Sequence, residues 1–152
     1  MGAAAHTVKE IDQLYSATDK VYGQFASSCG LSNCAYWMIY DLVSADGDLP
    51  LTELSAAWGY SKQTINSALK SLESQELVTL AFCEGSRRNK RAVLTAKGAR
   101  FAEANIEPAI AAERRALLSL DPGDRADLVR TLRRYTAALE REFSKMTGGE
   151  ES

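Results

Sequence analysis

The sequence is short of the residues that most catalysis uses. Its 152 residues include one histidine, His6, in a start expected to be mobile, which rules out an HExxH zinc site and offers a Ser–His–Asp triad no well-placed base. No GxSxG elbow and no glycine-rich phosphate loop occur. Asp46 and Asp48 sit in a Gly- and Pro-containing turn, which accounts for them fully. No catalytic residue, metal or cofactor is expected, and the chain does not read as an enzyme. The three cysteines, Cys29, Cys34 and Cys83, are odd in number and form no CxxC, which argues against a disulfide framework and a zinc site. Free thiols in the core are the plain reading. Cys29 and Cys34 flank a short Gly-Leu-Ser turn, which leaves a thiol redox switch as an alternative. There is no run of eighteen apolar residues, so no membrane span is expected. The small, polar start lacks a basic-then-apolar leader, and a cytoplasmic location follows as an expectation.

What is present is an ordinary globular composition, 45% hydrophobic and 25% charged, enough for a core in a single domain. The net charge of −2 does not advertise nucleic-acid binding, but its distribution does. Residues 61–91 hold six bases against three acids, and the rest of the chain holds twelve against seventeen. A basic island on an acidic chain implies a local anionic partner.

Apolar residues recur at helical spacing over 8–27, and a second helix follows over 33–44. Residues 46–50 are a break. A short helix is expected over 51–58, ended by Gly59, and then one over 62–74 with Ser61 as N-cap. The period then changes. Val78, Leu80 and Phe82 alternate and predict a strand, residues 84–89 a loop, and 91–94 the return strand of a hairpin. Thr95 caps a long helix to about Leu118, in which Pro108 predicts a kink or brief break. Asp121 and Pro122 start the last helix as cap and first residue. The residues from Thr147 are polar, and 147–152 are expected to be a disordered tail.

A helix, a tight turn, a second helix and a hairpin, with bases on the last two, is a device for double-stranded DNA. The second helix fits the major groove while the first braces it. The apolar stripe of residues 62–74 is Ile65, Ala68, Leu69 and Leu72. The other face carries Lys62, Gln63, Thr64, Asn66, Ser67, Lys70 and Ser71. Gln63 and Asn66 suit adenine edges, and Lys70 suits a phosphate. The free amides behind Ser61 suit another phosphate. Arg87, Arg88 and Lys90 on the hairpin suit a narrow minor groove. Alone, such a loop would be a solvated charge run; its place after the two helices makes it a wing.

The sequence resembles the MarR family. The resemblance is carried by Leu51-Thr52-Glu53-Leu54-Ser55, Ser61-Lys62-Gln63-Thr64-Ile65-Asn66 and Leu72-Glu73-Ser74-Gln75-Glu76-Leu77-Val78, then Arg87-Arg88 and Leu94-Thr95-Ala96-Lys97-Gly98. It implies a mainly α fold with a small β-hairpin wing, a winged helix-turn-helix with N- and C-terminal dimerisation helices. It places one domain over 1–146, the DNA-binding lobe over about 33–98 and the dimerisation helices over about 7–29 and 99–145. It also implies a homodimeric transcriptional regulator on a pseudo-palindromic operator, often answering a small molecule or an oxidant. The family pattern has an Asp that helps hold the wing where this chain has Ser86, and a Gly where it has Glu76. The first and last helices are apolar enough on one face to need a partner surface, which supports dimerisation independently. The aromatic residues of the first two helices are either core or a pocket for a small aromatic effector, with Tyr22, Trp37 and Tyr40 as its candidate wall. A winged-helix module that binds protein rather than DNA is the remaining alternative.

Overall fold

The computed structural model describes residues 2–54 and 56–148. The chain divides after Pro108 into two compact units.

The first unit opens with α1, Ala3–Ser28. It begins five residues earlier than the apolar pattern indicates and takes in His6, which the sequence places in a mobile terminus. Its first turn is three alanines and His6, with no large apolar residue to set a period. α1 ends at Gly30 (φ +75), whose N–H bonds to Ser27 O while Leu31 N–H bonds to Ala26 O. This pair of reverse bonds is the Schellman motif, and its left-handed residue favours glycine. α2, Asn33–Ser44, follows with Ser32 as cap, its hydroxyl accepting from Ala35 N–H at 3.2 Å. Cys34, Ala35, Met38, Ile39 and Leu42 of α2 are buried, which makes it the central helix of this unit.

The expected break at 46–50 contains a strand instead. β1, Asp48–Pro50, runs antiparallel to β3, Lys90–Leu94, which pairs on its other side with β2, Val78–Phe82. The sheet order is β1-β3-β2, so the wing rests on a three-stranded sheet rather than a hairpin alone. Pro50 is tolerated because β1 is an edge strand.

The helix expected over 51–58 is also different. Residues 51–54 form a turn, closed by Leu54 N–H to Pro50 O, and Ala56–Trp58 form a 3-10 turn. Both ends of the segment are tied elsewhere: Leu51 N–H bonds to Lys90 O on β3, and Trp58 bonds to α2.

α3, Lys62–Ser74, has its expected cap: Ser61 Oγ accepts from Thr64 N–H at 3.2 Å. Ala68, Leu69 and Leu72 are buried, as the stripe requires. α4, Ala96–Phe101, is capped by Thr95, whose hydroxyl accepts from Gly98 N–H at 2.9 Å and donates to Glu76 O at 2.6 Å. A π-helical turn, Ala102–Ile106, leads into α5, Glu107–Leu118. Here the helix meets Pro108. The proline ring would press on the carbonyl four residues back, and the wider turn just before it relieves that crowding, with Glu107 N–H bonding to Ala102 O.

The second unit holds most of α5 and α6, Pro122–Thr147. Asp121 has the extended backbone of an N-cap, but its side chain makes no capping bond. Pro122 occupies the first turn, as expected. Thr147, assigned by its polarity to the tail, is the last residue of α6; residues 149–152 lie outside the described residues. Among the described residues, no helix is long and apolar enough to cross a membrane, and no cluster suited to a metal ion occurs.

Candidate nucleic-acid interface

α3 turns its short polar residues outward. Lys62, Gln63, Thr64, Asn66, Ser67 and Lys70 are all exposed, opposite the stripe that enters the core. Ser61 and Thr64 also share a hydroxyl–hydroxyl bond at 2.8 Å, so both are partly engaged within the helix start. Gln63 and Asn66 present side-chain amides to whatever lies against this face, each with donors and an acceptor.

The wing is built on Ser86. Its hydroxyl accepts from Arg88 N–H at 3.2 Å and Asn89 N–H at 3.0 Å, and its own N–H bonds to Cys83 O at 3.0 Å. Cys83 N–H to Asn89 O at 2.8 Å closes the loop base. Gly85 takes the left-handed conformation, φ +72. Ser86 thus makes the turn-closing bonds that an aspartate makes through its carboxylate. Arg87 and Arg88 are exposed on this loop, and Lys90 lies over the Phe82 ring at 5.6 Å.

Arg91 behaves differently from the other bases of the island. Its guanidinium bonds Asp48 across the β1–β3 pair. That hydrogen bond, with the charge of Asp48, holds Arg91 above its usual range. Turn chemistry is therefore only part of the reason for Asp48, which is also the partner of a wing-base arginine. Between the 51–54 turn and the wing lies a cleft of about 280 Å³, lined by Thr52, Cys83, Arg88 and Lys90 among others.

Tyr22, Trp37 and Tyr40 come together as a cluster of tilted and edge-on rings. Trp37 lies 4.8 Å from Tyr22 and 5.3 Å from Tyr40 between ring centres. Trp58 joins them, stacked on Trp37 at 4.1 Å and 20°. Its indole N–H donates to both carboxylate oxygens of Asp41, at 3.0 and 2.9 Å. Sequence reading missed this link, since nothing local marks Asp41 as the partner of a residue seventeen positions on. Of the thiols, Cys34 is buried, and burial pushes it above its usual range. Cys29 and Cys83 are partly exposed.

The sequence model of the MarR family matches residues 35–89, from α2 to the wing. No match to the chain is found among curated protein sequences. Solved structures share the fold along most of its length. AbsC, a MarR family transcriptional regulator from Streptomyces coelicolor, is 24% identical, covering 90% of this chain and 92% of that one at a TM-score of 0.70. NMB1585, a MarR family regulator from Neisseria meningitidis, is 19% identical, covering 91% and 97% at 0.76. MepR of S. aureus, in its DNA complex, is 16% identical, covering 86% and 96% at 0.69.

Proposed function

We propose that the chain is a winged helix-turn-helix regulator of the MarR type, as the match of residues 35–89 to that family's model supports, and that it regulates transcription by binding a specific double-stranded DNA site as a homodimer. The observation that carries the reading is the outward amide and hydroxyl face of α3 beside a wing bearing Arg87 and Arg88. Gln63 and Asn66 read base edges in the major groove, with Thr64 and Ser67 beside them. Ser61, Lys62 and Lys70 hold phosphates, and Arg87, Arg88 and Lys90 enter the minor groove or grip its rim. Arg91 is left out, because Asp48 occupies it.

Dimerisation is supported by exposed apolar side chains: Val8, Leu14 and Val21 on α1, and Leu128, Leu132, Leu139 and Phe143 on α6. Faces of this kind are rarely left to water. Two copies would present two reading helices, which suits a pseudo-palindrome with half-sites about 34 Å apart.

The test is selection of duplexes from a random pool, followed by binding at several salt concentrations. A palindromic sequence is expected. Replacing Arg87 and Arg88 with Ala should lower the salt slope by about 0.9 for each phosphate that is no longer neutralised, while Arg91→Ala leaves it unchanged. Gln63→Ala and Asn66→Ala should relax base preference at fixed positions. If no sequence is enriched and the wing substitutions change nothing, the DNA reading fails and a protein-binding role on the same fold takes its place.

A further inference from the structure

Trp58 belongs to a segment in which, among the described residues, Leu54 alone is buried. It lies three residues ahead of Ser61, the cap of α3, and 36% of its surface is open to solvent. Three residues of α2 receive it. Trp37 stacks beneath its ring, Tyr40 stands edge-on at 6.1 Å and 84°, and Asp41 accepts its N–H. Positions 37, 40 and 41 are spaced three and four apart, so they share one face of the helix. Together they form a socket with a floor, a wall and an acceptor.

Burial does not demand that acceptor, since a half-exposed indole N–H can bond water. What a carboxylate adds is direction: two oxygens at nearly equal distance hold the N–H along one line. The beneficiary is the start of α3. Ala68, Leu69 and Leu72 anchor the helix from its middle onward, but Lys62, Gln63 and Thr64 are exposed and Ile65 is only half-buried. The first turn therefore has little packing of its own to place it. It is joined to Trp58 only through Gly59, Tyr60 and Ser61. Gly59 holds a left-handed conformation, φ +72, so the chain turns into α3 at once.

We propose that Asp41 and Trp58 are positioning residues that set the first turn of α3, where Gln63 and Thr64 lie, and through it the strength of DNA binding. The inference rests on the DNA-binding reading for its second half only. Tyr22 of α1 closes on the same stack through Trp37, so the socket also ties α1 to the placement of α3.

Three variants separate the parts. Trp58→Phe keeps a ring to stack and removes the donor. Asp41→Ala removes the acceptor, and Asp41→Asn keeps one acceptor oxygen. Hydrogen exchange is followed at the amides of Thr64 and Ile65, which bond to Ser61, and at those of Leu69 and Leu72. Affinity is measured for the duplex that the wild-type protein selects from a random pool. Trp58→Phe and Asp41→Ala should speed exchange at Thr64 and Ile65 about tenfold, with Leu69 and Leu72 unchanged, and weaken DNA binding about tenfold, the effect of losing one charge-assisted bond. The salt slope should stay that of the wild type, and Asp41→Asn should bind within about threefold of it. Unchanged exchange at Thr64 and Ile65 overturns the inference, and so does equal acceleration along the whole of α3. If the wild-type protein selects no duplex, the DNA reading fails, and the exchange data still decide whether the socket sets this turn.

Discussion

Gly98 in α4 lies against Leu77 so closely that a β-carbon on it would collide with the Leu77 carbonyl oxygen. That oxygen already accepts the Thr95 N–H at 3.1 Å, so it cannot swing aside without breaking the start of α4. The Thr-x-x-Gly spacing thus has two physical reasons. Thr95 reaches forward to cap Gly98 N–H, and the missing side chain lets the helix settle on the strand entry. Gly98→Ala should cost about 3 kcal/mol or more, beyond ordinary overpacking because backbone must move. Gly123→Ala in α6 is the control, since its β-carbon would meet nothing within 4 Å. That change should be neutral or stabilise by up to about 1 kcal/mol. Urea unfolding of the two variants decides; equal midpoints would remove the close-approach account.

Glu76 stands where the helix ending α3 calls for glycine. Its φ is +59, its N–H bonds to Glu73 O, and Leu77 N–H bonds to Leu72 O. This is the Schellman pattern that Gly30 completes for α1, here carried by a residue with a β-carbon. The left-handed conformation costs such a residue about 1–2 kcal/mol. The side chain returns little, because its 3.5 Å pairing with Lys97 is largely exposed. Glu76→Gly should therefore raise stability by roughly 1 kcal/mol, less the entropy that glycine adds to the unfolded chain. Glu76→Ala should bring no gain, because it keeps the strain. Thermal unfolding with Glu76→Gly below the wild type would count against this.

These two sites show where sequence was informative. Signals within one turn were readable: Ser61 as cap of α3, the Ile65–Leu72 stripe, Thr95 before α4, and the alternation of β2. Each depends on neighbours two to four residues away. What was not readable depends on distant partners. β1 exists because β3 lies beside it, more than forty residues on. The ties of Leu51 to β3 and of Trp58 to α2 likewise join residues far apart in sequence. In the interface, the outward face of α3 followed from its stripe. The separation of Arg91 from Arg87 and Arg88 could not, because Asp48 is its reason. Ser86 lay between the two cases, since the position was marked by the family pattern but its bonds appeared only with the folded loop.

Ser86 gives the third prediction. Its hydroxyl satisfies the N–H groups of Arg88 and Asn89, so Ser86→Ala leaves both to water and lets the wing tip spread. DNA affinity should fall about three- to tenfold, in line with the usual worth of one or two hydrogen bonds. Ser86→Asp can accept the same two bonds but brings a negative charge toward DNA. If turn closure dominates, it should bind more tightly than Ser86→Ala. If it binds more weakly, charge rather than wing geometry governs this position.

The fourth concerns Cys34 and alkaline pH. Cys34 is 2% exposed, and burial raises its thiol above the ordinary value of 9.0. Tyr60 is raised above 10.0, by burial first and then by the charges of Cys34 and Asp19. Both groups ionise to anions, and both hold their protons more tightly folded than unfolded. Their contribution is therefore whole below the unfolded values and is lost as pH rises through the folded ones. Unfolding free energy should stay level with respect to these groups up to about pH 9 and then decline. The same burial makes a chemical prediction. Of the three free cysteines, the part-exposed Cys29 and Cys83 should react with an aromatic disulfide at neutral pH, and Cys34 only after urea is added. If all three react at one rate in the native protein, Cys34 is reached by a local opening far easier than global unfolding, and its share of the alkaline decline should then shrink, leaving that of Tyr60.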